Sequence, residues 1–319
     1  MDLLYETNGR LRAIWRFCLG LLVFIAAEAV GNAAGAVFFR FHILIAEFLV
    51  QAISVTILLG GFTFLLITAD HVEEGALASM GLGWSRSTLR QVLAGLGIGV
   101  VMVLGCAAVL VVWADDVTLS GHLGSMTMLR AGLALTVLAL GAMAEEAAFR
   151  GYPFQRLTDA AGPIVAIVVI QIGFGLIHSD NPNVSRWGIA NTALFGVLLA
   201  VAYLRSRSLW LPWGMHFGWN AMLAVGLGLP LSGLTVFASV LHTRVRGPEW
   251  MTGGSYGIEG GALTTVAIIA MSPVVWWLGG RIRHSGSRVI GHSQTLASQG
   301  LSDSPITGFP DHPSSGGGI

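Results

Sequence analysis

The chain has 319 residues, 54% of them hydrophobic and 11% charged, with a formal net charge of zero. A soluble domain carries nearer ~25% charged residues, so this composition excludes an ordinary water-soluble globule. A neutral balance also argues against a nucleic-acid partner.

Taken in order, eight apolar segments are long enough to cross about 30 Å of hydrocarbon. They cover 13–39, 43–68, 92–113, 133–157, 163–178, 187–204, 210–231 and 262–279. The expected fold is all-α, a polytopic membrane protein of about eight transmembrane helices around a buried active-site cavity. The first segment lacks a small-residue cleavage site and reads as a retained span. Cys18 and Cys106 both fall inside apolar segments, so no disulfide is expected. The 43 glycines suit close helix packing in a bilayer. Residues 232–261 read as a long outward loop, and Gly247-Pro248-Glu249-Trp250 within it suits a short interfacial helix. Residues 284–319 are Ser-, Gly-, Pro- and His-containing without apolar periodicity, a dispensable disordered tail. Its His284, His292 and His312 have no zinc-ligand spacing. The expected organisation is a membrane domain at 1–283, with a catalytic core at about 133–231, and the tail.

There is no lysine, and arginine sets the orientation. Arg10, Arg12, Arg16, Arg86, Arg90, Arg156, Arg205, Arg207, Arg281, Arg283 and Arg288 fall on one side, eleven against Arg40, Arg130, Arg186, Arg244 and Arg246 on the other. Positive residues stay in the cytoplasm, so both termini are expected there, in a multi-pass protein of the inner (plasma) membrane.

Glu145-Glu146-Ala147-Ala148-Phe149-Arg150 places three ionisable groups late in the fourth segment. Each costs roughly 2.5–3.5 kcal/mol at a helix centre, so a function is the default reading. Glu146 and Arg150 share a helix face and can neutralise one another. Glu145 points about 100° away and needs another partner. His178 and His216 are the candidates. Counted from a turn near 159–162, Glu145 and His178 reach the same depth, about 22–25 Å, whereas His216 counts as shallower. Asn220 shares a helix face with His216. Gly151 and Pro153 should kink the fourth helix, and Gly173 and Gly175 should clear space near the pocket. Glu28 with Asn32 and Glu47 with Gln51 read as structural or cavity-lining pairs.

A carboxylate and an imidazole holding one water, opposite a second imidazole and an amide, suit peptide hydrolysis. The first two activate the water, and the others stabilise the oxyanion. The rival use is metal binding: Glu145, His178 and His216 could hold one zinc ion with an open position, although no His-Glu-x-x-His helix is present. Two other classes compete, a non-catalytic membrane scaffold or receptor with a ligand cavity and a proton-coupled transporter. A transporter should show inverted repeats, and none is evident.

Glu145-Glu146-x-x-x-Arg150, Phe174-x-x-x-His178 and His216-x-x-x-Asn220 resemble, in order and spacing, the three motifs of the CAAX protease and bacteriocin-processing (CPBP) family of intramembrane proteases. The resemblance spans about a quarter of the chain. It implies that Glu145 is the catalytic base, that His178 helps hold the water, and that His216 and Asn220 stabilise the tetrahedral intermediate. Glu146 and Arg150 would orient the site. The family is described both as metal-dependent and as glutamate-dependent, so the resemblance is compatible with no cofactor or with one zinc ion. The implied substrate is a peptide or a membrane-anchored protein.

Overall fold

A computed structural model describes residues 3–7, 9–38, 43–72, 75–121 and 124–283; the expected tail at 284–319, with His284, His292 and His312, lies outside the described residues. The helices are α1 (Ala13–Phe38), α2 (Ile43–Thr68), α3 (Thr88–Trp113), α4 (Ser125–Arg150), α5 (Tyr152–Ala161), α6 (Pro163–Ile177), α7 (Arg186–Ser206), α8 (Trp210–Asn220), α9 (Glu249–Thr252) and α10 (Ala262–Arg281). Strands β1 (Asp116–Gly121) and β2 (Leu241–Arg246) pair antiparallel, with Asp116 opposite Arg246. Among the described residues, seven helices are long and apolar enough to cross a membrane, α4 with α5 counting as one. The protein is an all-α, multi-pass membrane protein.

Bare apolar faces fit that reading. Leu22 and Ile25 on α1, Val111 and Val112 on α3, Ile164 and Ile172 on α6, and Val266 and Ile269 on α10 are all exposed. Apolar residues displayed along the length of helices on this scale belong against lipid.

The expected seventh crossing at 210–231 takes another form. Its helix α8 has 11 residues, about 16 Å of rise, and continues only through a π-helical turn, Ala221–Gly226. Pro212 lies in its first turn, where a missing N–H costs nothing, so it does not break the helix. The fourth segment does break. Gly151 separates α4 from α5, and a Cβ there would collide with the Ala147 carbonyl. Pro153 then sits at the start of α5, and Gly162, at φ +86°, turns the chain into α6 before Pro163.

Packing of α8 on α3 is backbone to backbone. A Cβ on Gly95 or Gly99 of α3 would strike Leu211 or Met215 carbonyls, and one on Gly214 or Gly218 of α8 would strike those of Val92 or Leu96. Small residues four apart on both helices permit this approach, and it fixes the height of His216 and Asn220, which α8 carries.

The two ends of the bundle are built differently. At the end where α1 begins and α10 finishes, Asp70 after α2 accepts from Arg16 of α1 and Arg156 of α5, all three buried. Gln155 bonds the Ser79 carbonyl and the Tyr203 hydroxyl, and Gln91 of α3 reaches the Ile282 carbonyl after α10. At the opposite end, β1–β2 ties the α3–α4 connection to the long loop after α8. The expected interfacial helix is α9, which starts directly after Pro248. The ribbon itself was not anticipated.

Candidate active site

Two apolar clusters flank a polar seam. One contains Phe195, Leu198, Met215 and Trp219; the other contains Ala147, Phe149, Phe174 and Ala200. Between them lie Glu146 and Arg150, both fully buried. Arg150 donates to Glu146 Oε1 at 3.1 Å and to Gln171 Oε1 at 2.8 Å, and its guanidinium lies 4.4 Å from the centre of the Phe174 ring. Gly196 on α7 leaves room for it, since a Cβ there would press on both Arg150 and Gln171. The expected Glu146–Arg150 pair therefore forms, with Gln171 as an added acceptor.

His216 is buried at the same level. Its Nδ1 lies 2.9 Å from Glu146 Oε1. An ionised carboxylate only accepts, so Nδ1 carries the proton and donates. The other nitrogen, Nε2, faces Glu145 Oε2 at 3.7 Å. Residue counting left the depth of His216 open; here α8, held against α3 by its glycines, brings the ring level with Glu145. Phe174 and Phe195 stand edge-on to its ring, at centroid distances of 6.3 and 5.9 Å.

His178 follows the last residue of α6. Its Nδ1 lies 2.8 Å from the Phe174 carbonyl, an acceptor, so that nitrogen donates and the neutral ring presents a bare Nε2. Glu145, His178, His216 and Asn220 all line one cavity of about 440 Å³. The Glu145 side chain is 35% exposed, while its Oε2 is itself buried and makes no hydrogen bond within the protein. Glu47 and Gln51 line the same cavity, while Glu28 lies within electrostatic reach of Glu145. Neither Gly173 nor Gly175 opens the pocket: nothing lies near a Cβ on Gly173, and Gly175 is a contact with Ile189 and Ala193 of α7.

Sequence reasoning missed Glu259, which also lines the cavity. Its carboxylate accepts from Trp219 Nε1 at 3.0 Å, from Ser232 Oγ at 2.9 Å and from the Ser232 amide. Asn191 Nδ2 bonds the Glu259 and Gly261 carbonyls. Burial pushes the Glu259 carboxyl above the usual carboxylate range, opposed by the bonds from Trp219 and Ser232. A lone acid in a glycine-rich loop gives no sequence signal. Gln171 did have one, as an isolated amide in an otherwise apolar helix.

Among the described residues no three His, Cys, Asp or Glu side chains converge as metal ligands.

Residues 127–222 match the family described as type II CAAX prenyl endopeptidase Rce1-like. No curated protein and no solved structure matches the chain. The matched segment runs from the start of α4 to just beyond Asn220, and so takes in Glu145, Glu146, Arg150, His178, His216 and Asn220.

Proposed function

The chain belongs to the CAAX protease and bacteriocin-processing family of membrane proteases, and we propose that it hydrolyses a peptide bond at Glu145 with a water activated there. One observation carries the reading: Glu145 Oε2, buried and without a hydrogen-bond partner in the protein, faces His216 Nε2 at 3.7 Å, and both residues line a 440 Å³ cavity.

In this mechanism Glu145 takes a proton from a water also held by the bare Nε2 of His178. The resulting hydroxide attacks the peptide carbon, and negative charge moves to the carbonyl oxygen. His216, as an imidazolium with protons on both Nδ1 and Nε2, and the Asn220 amide donate hydrogen bonds to that oxyanion. As the intermediate collapses, the C–N bond breaks and Glu145 passes its proton to the leaving nitrogen. Glu146 and Arg150 do no chemistry; Glu146, held by Arg150, fixes the orientation of the His216 ring through its Nδ1–H. The substrate is a peptide or a segment of a membrane-anchored protein. The arginine distribution supports a plasma-membrane orientation with cytoplasmic termini.

Relative rates of point variants in a purified-protein cleavage assay test the assignment. Asn220→Ala should lose about 10²–10³ in rate, as for one oxyanion donor. His178→Ala should lose more, and His216→Ala should fall between them. Wild-type rates in His178→Ala would remove that residue from the mechanism.

A further inference from the structure

We infer that Glu259 is a positioning residue of the active site: its carboxylate clamps the end of α8, and with it Asn220, to the strap at 231–237 that lines the cavity. The inference rests on the hydrolase reading for its kinetic consequence, whereas the clamp is read from contacts that do not depend on it. Glu259 lies outside the matched segment 127–222, so the family resemblance assigns it nothing.

Three donors converge on the two carboxylate oxygens. Trp219 Nε1 donates to Oε1 at 3.0 Å. Ser232 donates to Oε2 twice, from its hydroxyl at 2.9 Å and from its backbone amide. An ionised carboxylate only accepts, on about four lone-pair sites, so it suits this set and a side-chain amide does not. Such charge-assisted bonds are roughly twice as strong as neutral ones.

The loop that carries Glu259 is itself anchored. Asn191 Nδ2 of α7 bonds the Glu259 and Gly261 carbonyls, and Thr264 of α10 bonds that of Ile258. Close backbone contacts fix the surroundings of the clamp. Gly257, at φ +93°, runs against the Pro230 carbonyl, and Gly233, at φ +82°, against that of Pro182 in the turn after His178. The carboxylate is a fixed post, and Trp219 and Ser232 are what it holds.

That hold matters for Asn220. It is the last residue of α8, and the chain changes to the π-helical turn Ala221–Gly226 directly after it. A change of helical period turns the residues on either side relative to one another. The direction of the Asn220 side chain therefore depends on where α8 is held at that point, and the neighbouring Trp219, 1% exposed, is held there by Glu259. Ser232 carries the same hold to the strap, whose Leu231, Leu234, Val236 and Phe237 form part of the cavity wall.

Kinetics of variants at matched thermal stability, with amide hydrogen exchange, test the inference. Glu259→Gln turns an NH2 group toward one of the donors and should lower kcat roughly tenfold, with a smaller change in KM. Trp219→Phe keeps a ring, removes the N–H and should reproduce that fall; it decides the question if Glu259→Gln does not accumulate. In an Asn220→Ala background, Glu259→Gln should cost less than about twofold, because it acts through Asn220. A wild-type kcat in Glu259→Gln, or in Trp219→Phe where only that variant accumulates, would overturn the inference. So would a rise in KM alone, or a loss as large in the Asn220→Ala background as in the wild type. Exchange needs no substrate: Glu259→Gln should speed it across 219–237 and leave α2 unchanged. If the wild-type protein cuts no peptide, the hydrolase reading falls and exchange alone decides. Faster exchange at 219–237 then keeps Glu259 as the clamp, and unchanged exchange removes it.

Discussion

Glu146 Oε1 accepts the Nδ1–H of His216 at 2.9 Å, so a carboxylate outside the proposed chemistry decides which way the imidazole faces. The same oxygen holds Arg150 at 3.1 Å. Three ionisable groups from α4 and α8 are thereby linked in the interior through one carboxylate oxygen.

Arg150→Ala should lower folded protein as well as activity. Breaking a buried pair leaves an uncompensated charge, worth about 3–5 kcal/mol, and here Gln171 loses its partner too. Thermal stability in detergent and membrane abundance are the readouts. Unchanged values for both would mean that Arg150 carries no structural charge balance.

Enlarging Gly99 or Gly218 should push α8 off α3. Either Gly99→Val or Gly218→Val forces side-chain atoms into backbone of the facing helix. Such overpacking typically costs about 1–3 kcal/mol. Activity should fall further than stability does, because α8 carries His216 and Asn220. Gly97→Val, whose Cβ would meet nothing within 4 Å, is the control and should be tolerated. Equal tolerance at Gly99 and Gly97 would contradict this packing.

The sequence made the charged site legible because charge in an apolar helix stands out at any resolution of reasoning. Glu146 with Arg150 followed from a four-residue spacing, and both occupy one face as expected. Relative depth was less legible. Counting 1.5 Å per residue needs a known starting level, and for α8 that level is set by its glycine contacts with α3. Those glycines, at 95, 99, 214 and 218, were visible as two G-x-x-x-G patterns and could have linked α3 to α8. The β1–β2 ribbon and the Glu259 clasp depend on residues more than 25 positions apart meeting outside the apolar segments, where no periodicity reports a partner. Gly173 illustrates the converse error: a small residue beside a motif need not face the pocket.

Asp70→Asn should destabilise the end where α1 begins. The substitution keeps shape but removes the charge that Arg16 and Arg156 share, leaving the two buried guanidinium groups with only Glu6 and Asp159, respectively, as carboxylate partners. Lower thermal stability and faster proteolysis at the termini are expected. Restoration by a second substitution, Arg16→Gln, would identify charge balance as the cause, and a fully stable single variant would rule it out.

Removing metal should leave activity intact. Without three convergent ligands among the described residues, dialysis against a chelator should not slow cleavage, and added zinc should not raise it. Loss on chelation with recovery on one zinc per chain would require a ligand set other than the one seen in this arrangement.

Cleavage by Glu145→Gln tests the central claim most directly. The amide keeps the size and position of the side chain on the cavity wall but cannot take a proton from water. Purified wild-type protein should cut a susceptible peptide in detergent or proteoliposomes. The Glu145→Gln variant, at equal abundance and equal thermal stability, should yield no product above the uncatalysed background. Product formation by Glu145→Gln at the wild-type rate would contradict hydrolysis by a Glu145-activated water.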